Sequence, residues 1–177
     1  MITTSRRPTR RIRSFANDLA RSIPGAVRVN RGKLSRLGVA EKALELGADR
    51  VILIDRWKGV PGKMELLLVG EGGLRHHPPL IYVAGIKLQR ECGARVGPAK
   101  RLSLAVMGDA GPEVAKFAEA LSSFLKAPLI QSIEGVSGRL MLFSSHPKHF
   151  ARITFLNAPE LYEVGPVISV RHLIWNP

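Results

Sequence analysis

The chain of 177 residues is long enough for one globular domain, and its composition excludes several classes of protein. Hydrophobic residues make up 45% and charged residues 23%, which excludes a mostly disordered or collagen-like chain. The single cysteine, Cys92, excludes an intramolecular disulfide and a thiolate zinc finger. Lysine and arginine number 27 against 14 aspartates and glutamates. The resulting net charge of +13 indicates a polyanionic partner, with nucleic acid the first candidate.

The positive charge is concentrated in what we call the N-terminal half, residues 1–97. This half holds 19 basic and 8 acidic side chains, whereas the C-terminal half, residues 98–177, holds 8 and 6. Ten basic residues precede Leu37, and Asp18 is the one acidic residue among them. The arginine-rich start has no apolar stretch of signal-peptide length, and no run of about 18 apolar residues follows. We therefore expect a cytoplasmic, nucleic-acid-binding protein that makes no contact with membranes.

After a first short strand, the pattern predicts an amphipathic helix from Thr9 to Ile23. One apolar stripe is formed by residues at spacings of three and four: Ile12, Phe15, Leu19 and Ile23. The opposite face gathers polar residues: Arg10, Arg13, Asn17 and Arg21. An ordinary solvated helix face would interleave acidic residues for pairing, and this one has none, so we predict phosphate contact there.

Two neighbouring segments extend this surface. The loop Thr3–Pro8 brings Arg6 and Arg7 to the start of the helix, where hydroxyls and backbone N–H groups suit an anion. An alternating strand, Ala26–Val29, leads into a turn at Gly32, for which an ordinary polar turn is the alternative. The predicted RNA-binding residues are Arg6, Arg7, Arg10, Arg13, Asn17, Arg21, Arg28, Asn30, Arg31 and Lys33.

The remaining elements alternate between helix and strand. In the N-terminal half we predict a helix and three strands with a Gly/Pro turn at Lys58–Gly62 and a second turn at Gly70–Gly73: helix Ser35–Leu46 and strands Arg50–Asp55, Lys63–Val69 and Pro79–Gln89. In the C-terminal half we predict strand Leu102–Met107, helix Glu113–Lys126, and strands Leu129–Glu134, Gly138–Ser144, Arg152–Asn157 and Tyr162–Trp175. Gly165-Pro166 is expected to interrupt the last strand.

The two halves resemble each other at an offset of 102 positions. Phe15-Ala16 corresponds to Phe117-Ala118, and Leu19 corresponds to Leu121. Each half begins with a strand, a loop, a helix and a further strand. We therefore predict an α/β fold with an internal duplication, in which residues 1–177 form a single domain with a basic first half and a near-neutral second half.

The sequence offers little that indicates catalysis, a metal or a cofactor. Gly32-Lys33 lacks the other residues of a phosphate-binding loop, and Gly70–Gly73 predicts a hairpin turn. The histidine pairs, at positions 76/77 and 146/149, lack the spacing and the cysteine partners typical of metal sites. Acidic residues are sparse and no pair suggests acid–base chemistry. We predict no cofactor and no catalytic or metal site, with an RNA-processing enzyme as the weaker alternative.

We predict structural rather than functional roles for the cysteine and the tryptophans. Cys92, beside Arg90 and Arg95, has either a lowered pKa or, as we favour, the role of a small buried hydrophobe. Aromatic residues are 6% of the chain, which argues against a base-stacking platform. We predict that Trp57 and Trp175 are packing residues near strand ends.

Several segments resemble Brix-domain ribosome-biogenesis proteins, in order and across essentially the whole chain. The likeness is carried by Thr4-Ser5-Arg6, Pro8, Arg11, Phe15-Ala16, Pro24, Ala26, Arg28, Asn30-Arg31-Gly32, Gly59-Val60-Pro61 and, near the end, Leu161–Pro166 with Arg171. The chain is most similar to the branch that acts in the small-subunit processome with a box C/D snoRNP. Two departures are a missing Gly-Pro-Thr-Ala block around Gly70–His77, and Val167 where the closing motif has arginine.

The resemblance implies both a fold and a role. It implies that each half resembles the anticodon-binding domain of class II aminoacyl-tRNA synthetases, and that the protein is a non-enzymatic, archaeal rRNA-binding assembly factor. The implied partners are rRNA or pre-rRNA, box C/D snoRNA and other ribosome-assembly proteins; eukaryotic relatives are nucleolar. A protein–protein scaffold and a tRNA-binding module remain alternatives on the residues alone.

Overall fold

The computed structural model describes residues 1–57, 60–94 and 96–176. The elements of the N-terminal half are β1 (Ile2–Thr4), α1 (Arg10–Ser22), α2 (Arg36–Glu45), β2 (Arg50–Trp57), β3 (Val60–Gly70) and β4 (Gly73–Lys87). A 3₁₀ turn, Gln89–Glu91, begins the connection to the C-terminal half. The elements of that half are β5 (Leu102–Val106), α3 (Pro112–Leu125), β6 (Leu129–Ile130), β7 (Gly138–Ser144), β8 (Ala151–Ala158) and β9 (Tyr162–Ile174).

The nine strands of the described residues form one mixed sheet in the order β1-β2-β3-β4-β9-β8-β7-β5-β6. β1 pairs parallel with β2, and β5 pairs parallel with both β6 and β7. The series β2-β3-β4 and β7-β8-β9 are antiparallel. At the centre β4 and β9 pair antiparallel, so the sheet continues from one half into the other.

The helices cover the two faces of the sheet unequally. α1 and α3 share the larger core, in which Phe15 and Phe117 are fully buried. α2 packs on the opposite face, against Val51, Leu53 and Leu67, because successive side chains of a strand point to opposite faces. Among the residues described here, no helix combines the length and the apolar character needed to cross a lipid bilayer. Both faces of the N-terminal half are therefore covered, and the exposed side of α1 is left to solvent.

Most of the predicted elements are confirmed with shifted ends. β7 has the predicted bounds, and α1 begins and ends within one residue of them. The two-residue hairpin between Gly70 and Gly73 is confirmed, and Gly73 has a φ of 99°, a conformation that favours glycine. β3 begins at Val60, and the predicted turn residues Lys58 and Gly59 lie outside the described residues.

Two strand predictions are wrong. Ala26–Val29 makes one isolated bridge, from Arg28 to Ile2, through two backbone hydrogen bonds with Ile2. The next carbonyl, that of Val29, accepts from the Thr3 hydroxyl. The predicted strand Leu129–Glu134 ends at Ile130.

The interruption expected at Gly165-Pro166 is confirmed as a register shift within β9. Thr154 pairs with Val167 and Leu156 with Glu163, so residues 164–166 lie opposite the single residue Phe155 of β8, while the strand itself continues.

Candidate nucleic-acid interface

α1 presents one buried and one exposed face, as its sequence pattern predicts. The Thr9 side chain caps its N-terminus by accepting the Ile12 N–H at 3.4 Å. Ile12, Phe15 and Leu19 are buried. The opposite residues are exposed: Arg10, Arg13, Asn17 and Arg21. The first turn contains no acidic residue, so the positive end of the helix dipole and the arginines add to the same positive potential.

The other predicted site residues lie in the two loops beside α1. Arg6, Arg7, Asn30 and Lys33 are exposed, whereas Arg28 and Arg31 are half-buried. Arg28 donates to Asn30 Oδ1 at 2.6 Å, and Arg31 Nε donates to the Leu34 carbonyl at 3.2 Å. These two arginines therefore hold their own loop together as well as contributing charge.

In the parts of the chain that the structure describes, the predicted cations form no ion pair with a carboxylate, whereas many neighbouring cations do. Within the described residues, no ion pair involves any of Arg6, Arg7, Arg10, Arg13, Arg21, Arg28, Arg31 or Lys33. The paired cations of the same half are Arg11, Arg36, Lys42, Arg50, Lys63 and Lys87. An uncompensated set of guanidinium groups suits phosphate, which they bind with paired, charge-assisted hydrogen bonds.

The two loops bring several cations close together at the end of β1. The pKa of Arg31 is lowered, first by burial and then by the neighbouring guanidinium groups of Arg6 and Arg36. The loop Thr3–Pro8 is held in place by the Ser5 N–H, which donates to the Ile54 carbonyl at 2.9 Å. Arg56 donates to the Arg7 carbonyl at 3.3 Å. An arginine remains charged under these conditions, so the cluster is a region of positive potential.

A groove of ≈ 660 Å³ runs beside the exposed face of α1 and adds a cation that the sequence analysis missed. Its wall includes Asn17 and Arg21 on the helix, together with Arg90 and Pro98 on the connecting segment, which we define as residues 88–101 between β4 and β5. The segment is held by the Ala99 N–H, which donates to the Arg21 carbonyl at 2.7 Å. Arg90 is distant along the chain, and only the contact between the segment and α1 could have revealed it.

One acidic residue, Asp18, also lines this groove, but its carboxylate is engaged. It accepts the Gln89 backbone N–H at 3.0 Å. Burial raises the pKa of the Asp18 carboxyl, and the bond from Gln89 opposes that rise. The carboxylate therefore positions the connecting segment, and its charge also acts on the two groove cations, Arg21 and Arg90.

Arg11 differs from the other arginines of α1 because it is bound within the protein. Its guanidinium forms a two-point ion pair with Glu91, and it also donates to the Ile86 carbonyl at 2.9 Å. This ion pair, together with the Leu88 N–H bond, lowers the pKa of Glu91 to about 2. Arg11 thus clamps α1 to the connecting segment and is a positioning residue for the groove.

The closing motif, Leu161–Pro166, contacts the same connecting segment. The Gly165 carbonyl accepts from Ser22 Oγ at 3.3 Å and from Gln89 Nε2 at 3.2 Å. Gly165 has a φ of 68°, and a Cβ there would lie 2.6 Å from Cys92 Sγ. Only glycine fits this position, which explains in physical terms why the motif contains it.

The residues considered for chemistry have structural surroundings. Burial raises the pKa of the Cys92 thiol to about 11, with Glu163 adding to the effect, so the favoured role of a small hydrophobe suits it better than a reactive thiolate; Arg95 lies outside the described residues. His77 packs against Phe124, and His76 lies 3.5 Å from Glu65. Within the ranges that the structure describes, no group of three or more potential metal ligands occurs.

The two tryptophans differ from each other. Trp175 is half-buried, and Lys116 Nζ lies 4.6 Å from the centre of its ring. Trp57 is 64% exposed, so the prediction that it is a packing residue is wrong. The indole follows the last buried residues of β2 and projects beyond the core, which its residue type alone could not indicate.

Comparisons with known proteins place these features in a family. No protein-family model matches the chain. A protein of Pyrococcus horikoshii named a probable Brix domain-containing ribosomal biogenesis protein is 32% identical over 99% of this chain and 83% of its own length. A protein of the same name from Methanopyrus kandleri is 32% identical over 96% of this chain and 92% of its own length.

Solved structures agree with these relatives. The crystal structure of a probable ribosomal biogenesis protein from Aeropyrum pernix is 30% identical, with a TM-score of 0.80 over 96% of this chain and 93% of that one. The structure of Mil, an archaeal Imp4-like protein, shares the fold at a TM-score of 0.70 and 21% identity over 99% of both chains. The chain is therefore a member of the family of archaeal Brix domain-containing ribosomal biogenesis proteins.

Proposed function

We propose that this protein is a non-enzymatic rRNA-binding assembly factor of ribosome biogenesis and pre-rRNA processing, acting in the cytoplasm. Its relatives are named as ribosomal biogenesis proteins. The observation that carries the RNA-binding part is the set of unpaired cations on and beside α1, in a half where six other cations have carboxylate partners within the described residues. Free guanidinium groups on one surface are what a phosphate backbone requires.

The proposed contacts are phosphates of rRNA or pre-rRNA bound by the ten residues predicted from the sequence. Arg10, Arg13 and Arg21 contact the backbone from α1, and the loop residues Arg6 and Arg31 extend the path beyond β1. Affinity of this kind comes mainly from the release of counterions, so it weakens when other proteins or ions compete for the phosphates. The protein would hold an immature rRNA conformation, with box C/D snoRNA and other assembly proteins as its partners, and then leave.

We also propose that residues 1–177 form a single domain built from two copies of one unit, each similar to a class II anticodon-binding domain. The support is the equal order of pairing in the two halves. β1 pairs parallel with β2, which continues into β3 and β4. β5 pairs parallel with β7, which continues into β8 and β9. The segment at Arg28 lies beside β1 as β6 lies beside β5.

The test is filter binding of rRNA fragments over a series of salt concentrations. If five to seven phosphates are contacted, log K should fall with log salt at a slope of roughly −4 to −6. Replacing Arg10, Arg13 and Arg21 together by Gln should weaken binding at least about tenfold and reduce the slope by about 2 to 3. Folding should be unaffected, since all three side chains are exposed.

The matched control removes three exposed positive charges from the C-terminal half: Arg101→Gln, Lys148→Gln and Arg152→Gln. It should retain the affinity and the slope of the wild type. Equal losses in both variants, or a flat response of the wild type to salt, would contradict RNA binding through α1 and favour a protein scaffold. Competition by tRNA over rRNA would favour a tRNA-binding module, and specific cleavage of labelled precursor RNA with magnesium would favour an enzyme.

A further inference from the structure

A second aromatic and cationic feature lies where β2 ends and β3 begins, and it shares no lining residue with the α1 groove. Trp57 is 64% exposed, the highest value among the large hydrophobic side chains of the described residues. It borders a cavity of ≈ 360 Å³ whose wall also includes Arg56, Lys63, Tyr82, Arg171 and His172. This combination of rings and cations has no role in the contacts proposed above.

Close backbone packing shapes one side of the cavity, and a stacked pair of rings shapes the other. Gly62 lies directly beneath Trp57, because a Cβ on Gly62 would lie 2.2 Å from Trp57 Cβ. On the other side, the rings of Tyr82 and His172 stack with centroids 4.4 Å apart and planes inclined by 17°. Tyr82 is opposite both His172 and Lys63 in the register of the sheet. An open indole thus shares one cavity with a stacked pair of rings.

The charges around the cavity favour an anionic ligand. Arg56 and Arg171 are exposed, and no ion pair involves either of them in the parts of the chain that the structure describes. Asp55 is the acidic residue of the wall, and Lys63 lies 4.0 Å from it. The guanidinium of Arg56 also donates to the Arg7 carbonyl. The cavity therefore adjoins the loop cations that are proposed to contact phosphates.

We propose that this cavity binds an unpaired nucleobase of the RNA, with the base stacked on the Trp57 indole and the adjacent phosphates bound by Arg56 and Arg171. The proposal rests on the proposed function and names the form of RNA that this site takes, which is a single-stranded segment. Stacking on an exposed aromatic ring is tolerant of sequence and is a common source of affinity for single strands. A duplex, whose bases are already stacked and paired, would leave the indole unused.

The test uses the fluorescence of Trp57, because the chain contains two tryptophans. In a Trp175→Phe protein, Trp57 is the one remaining indole, and titration with an oligomer of about ten adenylates should quench its emission. An abasic oligomer with the same number of phosphates is the matched ligand and should quench it much less. Equal quenching by both oligomers, or unchanged emission while RNA is bound, would overturn the proposal.

A second measurement separates this site from the phosphate contacts of α1. Trp57→Ala should weaken binding of the adenylate oligomer about five- to a hundredfold while leaving the slope against salt unchanged, and Trp57→Phe should retain most of the affinity. Folding should be unaffected, because the indole is 64% exposed. Wild-type affinity of Trp57→Ala, with a steep salt slope, would overturn the base site alone. Absence of any salt-dependent binding by wild type would overturn both the proposed RNA binding and the base site. Binding of a protein segment in this cavity in place of RNA would overturn the base site.

Discussion

α1 and α3 are two helices with the same buried pattern and different exposed faces. They pack on the same face of the sheet and share one core. The corresponding buried residues are Ile12 and Val114, Phe15 and Phe117, Ala16 and Ala118, and Leu19 and Leu121. The spacing of these residues gives each helix one apolar face, which packs on the sheet. Burial of that face is the main source of stability for a helix in a globular protein.

Their solvent-exposed faces have little in common. α1 exposes Arg10, Arg13 and Arg21, and its first turn has no acidic residue. α3 begins with Pro112 and Glu113, as the helix dipole favours, and alternates Lys116 with Glu119 on its exposed side. Nothing in the packing of α1 requires Arg10, Arg13 or Arg21. The comparison therefore separates residues that make the fold from residues that are available for a ligand.

The largest expected effect is on stability, and it should be equal in the two helices. Phe15→Ala and Phe117→Ala each remove a fully buried ring and should lower the free energy of unfolding by about 3–5 kcal/mol. Urea unfolding monitored by circular dichroism provides the measurement. A loss that is large in one variant and negligible in the other would contradict the equivalence of the two helices.

A smaller effect should distinguish two adjacent arginines of α1. Arg11→Ala breaks the ion pair with Glu91 and the bond to the Ile86 carbonyl, and should cost about 1–2 kcal/mol of unfolding free energy. Arg10→Ala, the control, removes an exposed side chain and should change it by less than about 0.5 kcal/mol. RNA affinity should show the reverse order once both proteins are folded. If Arg11→Ala lowers the free energy of unfolding no more than Arg10→Ala does, the ion pair between Arg11 and Glu91 contributes nothing to stability.

The ion pair of Arg11 also predicts a dependence of stability on pH. The pKa of Glu91 is about 2 in the folded protein, below its ordinary value of 4.5. Its stabilising contribution is therefore complete above about pH 5 and is lost as the pH falls through 4.5 towards 2. Because about a third of the Glu91 side chain is exposed, we expect about 1 kcal/mol.

Thermal unfolding of wild type and Glu91→Gln between neutral and acidic pH measures this contribution. The two melting temperatures should converge as the pH falls, because the wild type loses a contribution that the variant never has. A constant difference across the range would contradict the assignment of the lowered pKa to the ion pair.

Local signals in the sequence were sufficient for most of the elements. The stripe formed by Ile12, Phe15 and Leu19 predicted α1 because the helix period and Pro24-Gly25 both act over a few residues. The Ala26–Val29 prediction failed although its alternation was correct. A strand also needs a backbone partner for each of its N–H and C=O groups, and the Val29 carbonyl accepts from the Thr3 hydroxyl instead.

Contacts between distant segments explain what could not be predicted about the candidate site. The helix period places Arg10 on the polar face and leaves Arg11 off it, but the ion pair of Arg11 depends on Glu91 of the connecting segment, which no local pattern indicates. Arg90 joins the groove for the same reason. The exposure of Trp57 depends on where β2 leaves the core, and an apolar residue type by itself predicts burial.

The smallest effect concerns the cation of α3 that contacts an aromatic ring. Lys116 lies over Trp175 at 4.6 Å, so Lys116→Ala should lower the free energy of unfolding by about 0.5–1 kcal/mol through loss of the cation–π contact. Lys116→Ala should not change RNA affinity, because this lysine contacts Trp175 within the protein. Arg13→Ala should do the opposite, reducing affinity with little change in stability. The pair of variants is measured by urea unfolding and by filter binding. A loss of affinity in Lys116→Ala as large as that in Arg13→Ala would extend the binding surface to α3 and end the distinction between the two exposed faces.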